Sequence, residues 1–189
     1  MPDLTFVTGN PEKFATACRV FAEHGIELAQ ATFDVDEIQG EDAERIVTDK
    51  LNKAFSLTKA PVIVNDDSWA FAGLGGLPGP YMKSMVHWFS AADFINLTKQ
   101  LTDKRVTLSQ WIGYQDERTQ KLFKLEFTGE ILSEARGRYG NALQKIISMP
   151  GDDGLSVAEA YDKGIDTSKR EVAKGWRQFI DWYQDYLKR

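Results

Sequence analysis

The chain has 189 residues, of which 42% are hydrophobic and 27% charged, which is enough apolar material for the core of one domain. Its net charge of -5 and pI near 5.1 argue against a general binder of nucleic acid or anionic membranes, since such surfaces carry a basic excess. Residues 1–10 lack the basic region, long apolar stretch and cleavage site typical of a signal peptide, and no apolar run reaches membrane-spanning length, so we predict a cytoplasmic protein.

The first half of the chain alternates short apolar runs with segments of helical spacing. Apolar runs bounded by polar or turn residues predict strands, and apolar residues at a spacing of three and four predict helices. The predicted elements are a strand over 4–8, a helix over 13–24, a strand over 26–31, a helix over 42–57 and a strand over 61–64.

The second half contains a segment rich in glycine and proline, residues 73–80, which predicts an ordered loop. Residues 105–114 and 121–131 are rich in aromatic and β-branched side chains and flank a polar turn, so they predict a long antiparallel hairpin. Helices are predicted over 91–101 and 168–187. Because the chain has no repeat or linker, we interpret residues 1–189 as a single mixed α/β domain.

The turn between the first predicted strand and helix carries groups that suit a phosphate. Gly9 permits close approach to the backbone, the helix start offers unpaired amide donors, and Lys13 supplies a positive charge. An ordinary turn is the alternative, because glycine and asparagine are common where a strand leads into a helix. The candidate ligands here are Thr8, Gly9, Asn10 and Lys13.

Polar residues follow the apolar run 61–64 at once: Asn65, Asp66, Asp67 and Ser68. We expect the strand to end there, in a cleft. Neighbouring carboxylates can hold a divalent cation, and one of them can accept a proton from water. Asp66 is the residue that we predict for this role. A solvated loop or a helix cap is the alternative, since Asp and Ser are also preferred caps.

Other charged residues complete the candidate set. The acidic run over 34–44 can bring a second metal ligand from the start of the next helix, although the helix dipole favours carboxylates there without any metal. Lys50 on that helix, and Ser168, Lys169 and Arg170 at the predicted start of the last one, offer cations and amides to a triphosphate, with solubility as the alternative. The acidic run contains Asp34, Asp36, Glu37, Glu41, Asp42 and Glu44.

These motifs, in this order, resemble the inosine triphosphate pyrophosphatase family. The first is Thr8-Gly9-Asn10 followed by Lys13, and the second is Asp66 after an apolar strand. The third and most distinctive is Leu-Gly-Gly-Leu-Pro-Gly-Pro-Tyr over residues 74–81. With Phe127 to Ile131, Arg136-Gly137 and Ser168-Lys169-Arg170, the similarity extends over nearly the whole chain.

The resemblance implies an elongated mixed α/β sheet with flanking helices, two lobes around a central nucleotide-binding cleft, and a homodimer. It implies Mg²⁺-dependent hydrolysis of noncanonical purine triphosphates, such as ITP, dITP and XTP, to the monophosphate and pyrophosphate. By position, Asp66 matches the catalytic base and a metal ligand, Lys50 a phosphate-facing lysine, and Arg170 an arginine that contacts the base. The further substrate-binding residues are Thr8, Gly9, Asn10, Lys13, Asp67, Ser68, Ser168 and Lys169.

Several positions depart from the family's pattern. Asn65 stands where the family has an acidic residue. Arg45 stands where it has a metal-binding glutamate, so we assign that ligand to Glu44 by a shift of one residue. Residues 139–143 (Tyr-Gly-Asn-Ala-Leu) lack the second aromatic residue and the Asp-Pro with which the family recognises the base, and Lys169 replaces a histidine. These changes predict an unusual or relaxed base preference.

The predicted function is therefore hydrolysis of a nucleoside triphosphate to a monophosphate and pyrophosphate. One alternative is a house-cleaning pyrophosphatase for another modified or pyrimidine nucleotide. Another is a paralogue that binds nucleotides without hydrolysing them. An interaction protein with an α/β fold is the third, and nucleotide-induced stabilisation would distinguish it from the others.

Overall fold

The computed structural model describes residues 3–33 and 37–188. Asp34 and Asp36 of the acidic run lie outside these residues. Within them, helices and strands alternate as expected for a mixed α/β fold. The strands are β1 (Leu4–Val7), β2 (Leu28–Ala31), β3 (Val62–Phe71), β4 (Pro78–Gly79), β5 (Arg105–Gln115), β6 (Gln120–Ile131) and β7 (Ile147–Ser148). The α-helices are α1 (Pro11–Ala22), α2 (Ala43–Thr58), α3 (Met82–Trp88), α4 (Ala91–Thr98), α5 (Val157–Asp162) and α6 (Lys174–Leu187).

Over the described residues the strands form one sheet in the order β2-β1-β3-β5-β6-β7, and β4 pairs with β3. β1 runs parallel to both β2 and β3, so α1 and α2 are the crossover helices of two βαβ units. Phe6 of β1 pairs with Ile63 of β3. The residues that follow Val7 therefore lie beside the polar residues that follow Val64 in β3. The starts of α1 and α2 therefore lie toward the same edge of the parallel strands.

Side chains on the two faces of β1 and β3 pack into separate clusters, as the period of a strand requires. Phe6 and Ile63 belong to a cluster that includes Phe21 of α1 and Phe179 of α6. The opposite face is covered by α2, whose buried stripe recurs at helical spacing. This second cluster consists of Val7, Val47, Leu51, Ala54, Val62 and Val64.

The chain divides into two compact units. The first consists of Met1–Asp66, Gln110–Leu125 and Val172–Arg189, and the second of Asp67–Ser109 and Glu126–Glu171. β3, β5 and β6 each contribute residues to both units. Interpretation of residues 1–189 as one functional domain stays a prediction.

Two predicted boundaries are wrong. β3 does not end at Val64 but continues through the polar residues to Phe71, because its backbone goes on pairing in the sheet, with β4 at Trp69 and Ala70. The last helix begins at Lys174 rather than residue 168, because residues 167–169 and 171–173 form two short 3₁₀ turns. The predicted hairpin is present as the neighbouring strands β5 and β6.

Asp116, in the turn between β5 and β6, ties this hairpin to α6 within the first unit. Its carboxylate accepts hydrogen bonds from the hydroxyls of Tyr114 (2.9 Å) and Tyr186 (2.7 Å) and from the amides of Arg118 and Thr119 (both 2.8 Å). Burial acts to raise the pKa of Asp116, but these hydrogen bonds to the charged form outweigh it and hold the pKa below its ordinary value.

Asp116→Asn should therefore reduce the acid sensitivity of the fold. A carboxyl whose folded pKa is depressed stabilises the native state above its unfolded pKa, about 3.9, and loses that contribution as the pH falls through the lower folded value. We expect the wild-type protein to lose stability below about pH 4 more steeply than the variant, as measured by urea unfolding from pH 6 to pH 2.5. Parallel pH profiles would contradict this role.

Among the described residues, no helix combines the length and apolar character needed to cross a membrane.

Candidate functional site

The loop between β1 and α1 is ordered by its own polar side chains. Asn10 caps α1, and its side-chain oxygen accepts from the amides of Glu12 (2.9 Å) and Lys13 (3.2 Å). The Asn10 amide in turn donates to the Thr8 hydroxyl at 3.1 Å. A Cβ at Gly9 would meet the Thr32 side chain at an ordinary 3.6 Å. Contacts of the described residues therefore do not require glycine here.

Thr8 is held against the neighbouring strand β2. Its amide donates to Ala31 (3.0 Å), and its carbonyl accepts from the side chains of Gln30 (3.0 Å) and Thr32 (3.3 Å). Only 8% of Thr8 is exposed. The start of α1, with its partial positive charge, is thus fixed relative to the sheet.

The side chains of Lys50 and Asp66, which are predicted to serve in one site, lie close together. The Lys50 ammonium is 3.7 Å from Oδ1 of Asp66 and 3.5 Å from the carbonyl oxygen of Asn65. It is also 3.1 Å from Oε1 of Glu37. These three side chains, Glu37, Lys50 and Asp66, are called the Lys50 cluster below. All three keep partial access to solvent, so the ion pairs are open to exchange with a charged ligand.

That the adjacent carboxylates Asp66 and Asp67 hold a cation together stays a prediction, and the geometry of β3 weighs against it. Both belong to β3, and successive side chains of a strand point to opposite faces of the sheet. Asp66 is separated from Val64 and Val62 by two and four residues, so it shares their face of the sheet, which α2 covers. The same alternation directs Asp67 to the other face. Asp67 and Ser68 also belong to the second compact unit.

Asn65 is a structural residue in this protein. Only 3% of it is exposed, and its side-chain nitrogen donates to the carbonyl oxygen of Trp111 at 2.8 Å. A carboxylate at this position could accept but not donate, and it would face a carbonyl oxygen. The contact gives a physical reason for an amide where the resemblance expects an acidic side chain.

Glu44 is exposed in the first turn of α2, and Asp42 caps that helix through the amide of Arg45. The location of Glu44 fits the favourable interaction of carboxylates with the start of a helix. Among the described residues, no group of three or more metal-ligating side chains comes together. Among the described members of the acidic run, Glu37 contacts Lys50, so the assignment of the second ligand to Glu44 stays a prediction with a rival in the same run.

The Ser168-Lys169-Arg170 segment does not start the last helix, as was predicted, but precedes it. The hydroxyl of Ser168 (2.8 Å) and its amide (3.0 Å) both donate to the Asp166 carboxylate. Lys169 is exposed, while Arg170 is buried and paired with Asp152. Burial raises the pKa of Asp152 above its ordinary value in spite of the Arg170 charge beside it.

Sequence reasoning therefore missed Asp152 and did not single out Glu37 within the acidic run. Glu37 was one member of a long acidic run, and spacing along the chain does not reveal which member contacts Lys50. Asp152 belongs to Pro-Gly-Asp-Asp-Gly over residues 150–154, a pattern typical of an exposed turn. Its burial could not be read from the pattern.

Comparison with known proteins identifies the family. The model described as the Ham1 family matches residues 4–180. The chain belongs to the Ham1 family. A dITP/XTP pyrophosphatase of Methanopyrus kandleri is 25% identical over 181 residues, which cover 95% of each chain. An inosine triphosphate pyrophosphatase of Fusarium vanettenii is 28% identical over 173 residues, which cover 90% of this chain and 92% of that one.

The fold agrees with that of solved Ham1 proteins. A HAM1 protein from Coxiella burnetii matches with a TM-score of 0.75 at 17% identity, covering 98% of this chain and all of the other. The Staphylococcus aureus Ham1 protein matches with a TM-score of 0.70 at 18% identity, covering 98% of each chain. The predicted mixed α/β fold of the Ham1 family is therefore confirmed.

Proposed function

We propose that this chain is a nucleoside-triphosphate pyrophosphatase that converts noncanonical purine triphosphates, such as ITP, dITP and XTP, to the monophosphate and pyrophosphate. The observation that carries the proposal is the Lys50 cluster, together with the capped start of α1, in a chain of the Ham1 family. Relatives named as dITP/XTP and inosine triphosphate pyrophosphatases, aligned over 95% and 90% of this chain, support the same reaction.

The donor set of the Lys50 cluster suits a magnesium ion. Glu37 and Asp66 both approach the same ammonium group, so their carboxylates converge, and carboxylate oxygens with water are the ligands that Mg²⁺ prefers. We propose Glu37 and Asp66 as its ligands, with Glu44 as the alternative to Glu37. Mg²⁺ bound there would neutralise charge on the phosphates and on the departing pyrophosphate.

The protein's own groups then position the reaction. The Asp66 carboxylate orients a water molecule and accepts its proton, while the water oxygen bonds to the α-phosphorus. The bond from that phosphorus to the oxygen bridging toward the β-phosphorus breaks, and pyrophosphate leaves with the electron pair. Lys50, Lys13 and the partial positive charge at the start of α1 hold the negative phosphates, so catalysis is mainly positional and electrostatic.

Base selection is the part of the proposal for which the altered segment 139–143 motivates a second candidate. In the segment 139–143, Asn141 accepts from the amides of Leu143 (3.0 Å) and Gln144 (3.2 Å), and Leu143 is buried. The segment thus uses its polar side chain to hold its own turn. Because the Asn141 oxygen is already occupied, it is less able to read the edge of a base, and the alternative is a house-cleaning pyrophosphatase for another modified or pyrimidine nucleotide.

A substrate panel tests the reaction and the base together. The purified protein is incubated with Mg²⁺ and ITP, dITP, XTP, dUTP and the common triphosphates, and pyrophosphate and orthophosphate are measured separately. We expect pyrophosphate from ITP and XTP and little orthophosphate. Preference for a pyrimidine would select the second candidate, and binding without turnover would select the non-hydrolysing paralogue.

A matched pair of variants distinguishes the two candidate metal ligands. Glu37→Gln should raise the Mg²⁺ concentration for half-maximal activity about tenfold or more, in line with losses from mutated metal-site residues, whereas Glu44→Gln should leave it near the wild-type value. Calorimetric titration with Mg²⁺ supplies a readout that does not depend on turnover. The reverse pattern would transfer the ligand role to Glu44.

The assembly and location complete the proposal. A homodimer in the cytoplasm, without nucleic-acid partners, is supported by the family resemblance and by the net charge of -5. Light scattering of the purified protein checks the dimer.

A further inference from the structure

The Lys50 ammonium lies at the point where two acidic side chains converge. It is 3.1 Å from Oε1 of Glu37 and 3.7 Å from Oδ1 of Asp66, and the carbonyl oxygen of Asn65 is 3.5 Å away. All of these residues belong to the first compact unit. Because an ammonium group has three N–H donors and no acceptor, its surroundings supply as many oxygens as it has donors.

The packing of α2 directs the Lys50 side chain to this point. Val47, Leu51 and Ala54 form the buried stripe of the helix against β3. At helical spacing, Lys50 lies at the edge of this stripe, and only 18% of its side chain is exposed. The helix therefore holds the stem of Lys50 against the sheet, and its charged end meets the two carboxylates.

A divalent cation held by the same two carboxylates would have to share their oxygens with Lys50. Mg²⁺ binds carboxylate oxygens at about 2.1 Å. An ion at that distance from Oε1 of Glu37 would lie within about 5 Å of the Lys50 nitrogen, and positive charges so close repel each other. Lys50 and a metal ion therefore compete for Glu37 and Asp66.

We propose that Lys50 weakens the binding of Mg²⁺ alone, so that the protein takes up Mg²⁺ and the triphosphate together, an inference that rests on the proposed function. The negative phosphates attract the Lys50 ammonium away from the carboxylates and leave their oxygens to the metal, while the metal repels the ammonium toward the phosphates. Each ligand therefore favours the other, and this coupling is reciprocal. The ligand that the Lys50 cluster selects is a metal–nucleotide complex rather than the free ion.

Calorimetric titration with Mg²⁺ in the absence of nucleotide tests the competition. Lys50→Gln should bind Mg²⁺ about tenfold more tightly than the wild type, within the usual range of coupling between ligands, because the competing charge is gone. Lys53→Gln is the matched control, since it removes the same charge from the same helix, but Lys53 pairs with Asp49 at 2.7 Å. We expect this control to keep the wild-type affinity. Equal or weaker Mg²⁺ binding by Lys50→Gln, or the same gain in both variants, would overturn the proposal.

Chemical labelling of the wild-type protein supplies a second test that needs no variant. Addition of Mg²⁺ should increase the acetylation of Lys50 relative to Lys53, as measured by mass spectrometry, because the metal displaces the Lys50 ammonium from its carboxylates. An unchanged ratio at saturating Mg²⁺ would overturn the proposal, and this measurement decides alone if Lys50→Gln shows no cooperative thermal transition. Neither test involves turnover, so a failure of the substrate panel to yield pyrophosphate would reject the proposed function separately.

Discussion

Asp66→Asn should reduce pyrophosphate release from ITP by about 10²- to 10⁴-fold, the range for loss of a general base, while the protein stays folded. The substitution keeps the shape of the side chain but removes its ability to accept a proton and its charge opposite Lys50, 3.7 Å away. Because the Asp66 side chain is 29% exposed, the change leaves no unpaired charge deep in the core. Steady-state assays with saturating Mg²⁺ measure the effect on kcat.

Asp67→Asn is the comparison for this prediction, and it also tests the substrate-binding role that the resemblance assigns to Asp67. Alternation along β3 directs this carboxylate to the other face of the sheet, so we expect a kcat close to that of the wild type. The melting temperatures of both variants establish that the comparison concerns folded protein. Full turnover by Asp66→Asn at saturating Mg²⁺ would rule out Asp66 as the base.

The elements that sequence reasoning located well are those whose signal is local. β1 and α1 follow from an apolar run, a turn and a helical repeat, and Asn10 caps the helix as its residue type favours. The course of β3 through Asn65 and Asp66 was missed, because the polarity of the side chains says nothing about whether the backbone has a partner strand. β4 supplies that partner for Trp69 and Ala70, and it comes from a segment that its composition marks as loop.

In the candidate site, too, some residues could be predicted from the sequence and others could not. Lys50 and Asp66 could be named from the order of motifs, since a crossover helix and the strand that follows it place them on one face of the sheet. Glu37 reaches Lys50 through the path of the chain before α2, which no periodicity describes. Asp152 lies in a loop in which Gly151, Asp153 and Gly154 have positive φ, and its pairing with Arg170 joins residues 18 positions apart in the chain.

Gly137→Ala should lower the free energy of unfolding by about 3 kcal/mol or more, the sum of a strained backbone and a steric overlap. Gly137 has φ of 84°, and a Cβ there would lie 2.6 Å from the backbone nitrogen of Glu159 and 2.8 Å from Ala158. The neighbouring helix α5 cannot retreat easily, because the Ser156 hydroxyl at its N-terminus donates to the Arg136 carbonyl at 2.7 Å.

Gly164→Ala separates the two causes. Gly164 also has a positive φ, of 69°, but a Cβ there would meet nothing within 4 Å, so only the cost of the left-handed backbone angle applies, about 1–2 kcal/mol. Urea unfolding of the two variants should therefore give midpoints in the order wild type, Gly164→Ala and Gly137→Ala, with the larger step at Gly137. Equal losses would mean that the contact with α5 relaxes freely and that the backbone angle alone demands glycine at residue 137.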